Sequence, residues 1–107
     1  MQRLKEVLPN VIGAAQLVSG EGGWETVNVV GDLEVRWALS VLRTGESRLY
    51  SDVDEASEEV EAVMTSRQGV HVVVADARGA MVLRLEHGTN LGLALGYAHG
   101  VVRGGAP

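Results

Sequence analysis

The chain has 107 residues, enough for one domain with a real core and too few for two; 46% are hydrophobic and 21% charged, which excludes a disordered class. A net charge of -5 opposes general nucleic-acid binding, which depends on a surplus of lysine and arginine, although basic partners fit it. With no cysteine there is neither a disulfide framework nor a thiolate metal site, so a reducing, cytoplasmic location is expected, and with no phenylalanine the core must be built from Val, Leu and Ala.

In chain order, Gln2 to Leu8 reads as a short helix with Leu4, Val7 and Leu8 on one face, stopped by Pro9. Val11 to Ser19 reads as a strand. Gly20-Glu21-Gly22-Gly23 then supplies a turn, and Trp24 to Val30 follows as a strand, alternating Glu25, Val27 and Val29 against Trp24, Thr26, Asn28 and Val30. Gly31-Asp32 breaks the hairpin, and Asp32 can cap a middle helix in which Leu33, Trp37 and either Val41 or Ser40 recur at helical spacing, as do Val35, Ala38, Leu39 and Leu42. That helix should reach Arg43. Gly45 interrupts it, and Glu46 to Glu59 suits either helix or loop.

Three strands come next, Val60 to Arg67, Val70 to Asp76 and Ala80 to Glu86, joined by tight turns at Gln68-Gly69 and Ala77-Arg78-Gly79. This meander has apolar groups on both faces, so both must be covered. Thr89 or Asn90 caps a final helix, and 103–107 is a polar, glycine-rich tail expected to be loose. The fold expected is α+β: a five-stranded antiparallel sheet with helices on both faces, in the order α-β-β-α-β-β-β-α, as one domain over 1–107.

The final helix carries glycine at every fourth position, Gly92, Gly96 and Gly100. Each costs roughly 1 kcal/mol against alanine, so close packing is expected to compensate. Leu91, Leu95 and Val102 fall on one side and Leu93, Tyr97 and Val101 nearly opposite, which predicts burial on more than one side. The expectation is a helix lying on the sheet beside the first one, its glycines permitting the approach. No membrane insertion is expected, because the longest apolar run, Leu91 to Val102, is only about 12 residues; Met1 to Glu6 begins no signal-peptide core.

No catalytic constellation stands out. His71, His87 and His99 lack ligand spacing, and no Gly-x-Ser-x-Gly surrounds any serine. Gly20 to Gly23 lies between strands and lacks the lysine of a phosphate loop. The carboxylates from Asp52 to Glu61 lack the order and central glycine of a calcium loop and suit a solvated surface. No catalytic residue, metal or cofactor is therefore expected. Trp37 serves core packing and self-association equally well, since its helix is apolar over much of its circumference.

The element order, the glycine hairpin, the three-strand meander and Thr89-Asn90-Leu91-Gly92-Leu93 at the start of the last helix resemble the roadblock/dynein light-chain domain in its bacterial type, over Leu4 to Val102. The resemblance implies a non-enzymatic homodimer, paired through the middle helix and third strand into a continuous sheet, acting as a scaffold that regulates or docks a small Ras-like GTPase. Carried onto this chain, the interface would comprise Leu33, Trp37, Ser40, Val41, Val60, Ala62 and Met64, with Arg36 and Arg43 at its rim for partner contacts. The alternative is a small-molecule sensor of profilin-like or PAS-like type, in which sheet and helices enclose a ligand.

Overall fold

Pro9 lacks the N–H that would continue a helix, and the first helix, described as α1 (Leu4–Val7), ends there, with the Leu8 amide donating to the Leu4 carbonyl at 2.7 Å. The computed structural model describes residues 4–34, 36, 40, 60–76 and 78–104. Leu4 and Leu8 of this first segment are buried, whereas Val7, expected on the same face, is exposed.

Strands β1 (Val11–Gly20) and β2 (Gly23–Gly31) form the expected hairpin, turning at Glu21 and Gly22. Its register slips once: Gln16 pairs with Asn28 but Leu17 pairs with Thr26, so Val27 is an extra residue in β2. The unbroken alternation expected along β2 is thereby corrected. Beyond the bulge Val29 joins the face of Trp24 and Thr26, while Asn28 and Val30 join that of Glu25.

The meander consists of β3 (Val60–Ser66), β4 (Gly69–Ala75) and β5 (Gly79–Leu85). Strand β5 also pairs with β1, which gives one five-stranded antiparallel sheet in the order β2-β1-β5-β4-β3 and an α+β fold with the expected order of elements. Asp76 builds the last turn of the meander: its Oδ1 accepts from the amides of Arg78 at 2.7 Å and Gly79 at 3.0 Å.

Each face of the sheet carries its own core. On the first, Ala14, Val70, Val72, Val74, Met81, Leu83 and Leu85 meet Leu4 and Leu8 together with Ala94, Ala98, Val101 and Val102 of the C-terminal helix α2 (Leu91–Val102). On the second, Ala15, Leu17, Val73, Ala75, Ala80 and Val82 surround Leu33, with Trp24 and Met64 partly buried against them. Every residue of β4 is buried, as its two apolar faces demand. The expected middle helix is described only at Arg36 and Ser40, both helical; Trp37, Val41 and Arg43, the stretch 46–59 and the tail beyond Gly104 lie outside the described residues.

Helix α2 begins as the sequence requires, with Asn90 Oδ1 accepting from the Leu93 amide at 3.2 Å. Its orientation corrects the expectation for the glycines. Gly92, Gly96 and Gly100 are all exposed, and a Cβ at Gly96 or Gly100 would meet nothing within 4 Å. The close approach to the sheet is made by alanine, since the methyl groups of Ala94 and Ala98 are small enough to sit on β4 and β5. Leu91 and Leu93 are exposed as well, so α2 is buried along one side only among the described residues.

Candidate functional site

Two places stand out, one at the rim of the sheet and one on its second face. The rim is β3, the outermost of the described strands. Its register with β4 runs without a break from Val60 opposite Ala75 to Ser66 opposite Gly69. Ala62 and Met64 share the second face with Val73 and His71, and Met64 packs against the core there. Glu61, Val63 and Thr65 occupy the first face, where Val63 is 42% exposed. Natural sheets protect such edges with lysine, proline or bulges, and β3 has none of the three. The opposite edge, β2, is bulged at Val27.

The expected interface residues separate in the structure. Ala62 and Met64 lie together on one face of β3 with Val60 two residues before them, and Arg36 and Ser40 are exposed. Leu33 is corrected: at 7% exposure it belongs to the chain's own core and is not open to a second copy.

The second place was not anticipated from the sequence. Across the five strands one cross-strand row on the second face reads Gly31, Gly13, Arg84, His71, Met64. Gly31 takes φ +68°, a left-handed conformation that turns the chain after β2 back over the sheet. Asp32 then passes directly above Gly13, where a Cβ would stand 2.6 Å from the Asp32 backbone, so that only glycine fits. This crossing places Asp32 over Arg84. Arg84 Nη1 donates to the Asp32 carbonyl at 3.3 Å and to Asp32 Oδ2 at 3.1 Å, and Nε donates to the Gln68 carbonyl at 3.1 Å.

The result is a cleft of about 340 Å³ lined by Asp32, Leu33, Glu34, Gln68, His71 and Arg84. The Arg84 side chain is only 21% exposed, while that of Asp32 is 82% exposed. His71 is buried, at 4% exposure. Burial, with the Arg84 charge as its cross-strand neighbour, lowers its pKa below the usual histidine value and favours the neutral imidazole.

The other two histidines have structural partners. His87 Nε2 lies 2.7 Å from the Ser66 carbonyl, which can only accept, so that nitrogen carries the hydrogen. The Ser66 hydroxyl accepts from the Gln68 amide at 3.1 Å, so the contact between His87 and Ser66 is not the histidine–hydroxyl relay of a nucleophile. His99 Nε2 meets Glu61 Oε2 at 2.6 Å. Among the described residues no group of three or more metal-ligating side chains occurs, and no helix is long and apolar enough to cross a membrane.

Sequence inspection missed the cleft because His71 and Arg84 lie on separate strands. The available signal was one polar residue in each of two otherwise apolar strands, a pattern that gains meaning only once their register is known. Comparison with protein-family models, with curated proteins and with solved structures finds no match.

Proposed function

We propose that the chain is a non-enzymatic interaction module that pairs with a second copy along β3 and so forms a scaffold. The observation that carries this reading is the asymmetry of the two sheet edges. Strand β2 has a bulge that interrupts pairing, whereas β3 offers seven residues in unbroken register, with one charge and no proline. Its one charged side chain, Glu61, is engaged by His99. Edge-to-edge pairing of β3 with its copy would satisfy the outward backbone groups and cover Val63, Ala62 and Met64. The resemblance to roadblock domains supports the same pairing and suggests a small Ras-like GTPase as the docked partner, with the exposed Arg36 at the rim.

Light scattering coupled to size exclusion tests the pairing. A dimer is expected. Val63→Lys, at an exposed position, should weaken it at least about tenfold by placing a charge on the edge. A monomer in the native protein, or a variant that dimerises as tightly, would overturn the reading. For the GTPase, a pull-down with the dimer against Arg36→Glu should show retained self-association and lost capture.

A further inference from the structure

We propose that the cleft formed by Asp32, Glu34, Gln68, His71 and Arg84 binds a small zwitterion, an α-amino acid or a compound bearing the same ammonium and carboxylate pair. The ligand carboxylate meets Arg84 and its ammonium meets Asp32 and Glu34. At about 340 Å³ the cleft lies at the small end of the range for ligand sites.

Charge selects the ligand class. Arg84 contributes one positive charge and Asp32 and Glu34 two negative ones. A simple anion would face the two carboxylates. A simple cation would leave the guanidinium incompletely used. Arginine has five N–H donors in a fixed fork, and here Nε and Nη1 are taken by Gln68 and Asp32, whereas Nη2 has no partner among the described residues. A guanidinium largely withdrawn from water with donors still open favours a carboxylate acceptor, for which a charge-assisted bond is strong. Among the described residues Asp32 and Glu34 are exposed, the Asp32 carboxylate has one bond, to Arg84, and that of Glu34 has none, and each can accept from an ammonium. Gln68 adds a further polar group to the lining. The cleft is built from one chain, so this binding is independent of self-association.

Titration of the full chain by amide-resolved NMR with each of the twenty free protein amino acids tests the site. At least one is expected to give saturable shifts centred on the amides of Leu33, Gln68, His71 and Arg84. For that amino acid, the methyl ester, which keeps only the ammonium, and the N-acetyl derivative, which keeps only the carboxylate, should each bind at least about tenfold more weakly. Arg84 also anchors the segment at Asp32, so the informative variant is Glu34→Gln at an exposed position, which should lower affinity about tenfold with thermal stability unchanged. No saturable binding by any of the twenty, shifts centred elsewhere, or a capped form that binds as well as its parent would overturn the proposal.

Discussion

Nε2 of His99 stands 2.6 Å from Oε2 of Glu61, so α2, which packs on β4 and β5, also reaches the outermost strand. The Glu61 side chain is half exposed, and water screens the pair. Glu61→Gln should therefore cost less than about 1 kcal/mol in urea unfolding. Its clearer signature should be local: faster hydrogen exchange at the β3 amides with those of β5 unchanged. Equal acceleration in both strands would show that the pair does not act as a local tie.

Two glycines should respond oppositely to the same substitution. Gly96→Ala adds a methyl in open space on a helix, and should raise stability by about 1 kcal/mol through helix propensity. Gly13→Ala drives a methyl into the backbone of Asp32 and should lower stability by about 1–3 kcal/mol while loosening Asp32 from Arg84. Thermal and urea unfolding read both, and a destabilising Gly96→Ala would mean that this side of α2 is covered.

Tyr97 places its hydroxyl where no partner reaches it among the described residues. Burial accordingly pushes the phenol pKa up. An unsatisfied buried hydroxyl costs about 1–3 kcal/mol, so Tyr97→Phe should leave the protein equally stable or more so. A loss of more than about 1 kcal/mol in urea unfolding would reveal a bond made by that hydroxyl.

Acid should act in two stages. Burial, then the Arg84 charge, lowers His71 from 6.5. Burial alone would raise Asp76, but the amides of Arg78 and Gly79 and the Arg78 guanidinium outweigh it and bring the carboxyl below 3.8. Both groups hold their protons more weakly folded than unfolded, so their contribution is complete above the unfolded values and is lost as pH falls through the folded ones. Stability should be level from about pH 6.5 to about pH 9, below the tyrosine range, decline below that window through His71, and decline again below about pH 4 through Asp76. Urea titrations across this range should lose the first decline in His71→Gln and keep the second.

The meander and the hairpin were legible because glycine and turn residues punctuate runs of alternating or continuous apolar residues at strand length. The pairing of β1 with β5 was not, since nothing local in Ala14-Ala15 or Val82-Leu83 names its distant neighbour. The bulge at Val27 was hidden because Val27-Asn28-Val29 alternates whether or not a residue is extra. The glycines of α2 misled for a related reason. A period of four shows that they share a side, but a residue without a side chain says nothing about what that side meets, and Ala94 and Ala98 were the better markers of contact. In β3, Ala62 and Met64 were legible as one face, but the exposed Val63 between them shows its importance only when β3 is known to be an edge.

The position of β1 between β2 and β5 has a consequence for the order in which the chain can fold. The first hairpin is complete in sequence by Gly31, yet the ladder that seats it in the sheet needs residues 79–85. During synthesis that hairpin must wait through some fifty residues of chain for its second partner, a delay that favours slow, late closure of the sheet. The meander, by contrast, needs only its own neighbours. Arg84, which sits on the last strand of the meander and binds Asp32 beyond the first hairpin, is then among the side chains that secure the two halves once they have met.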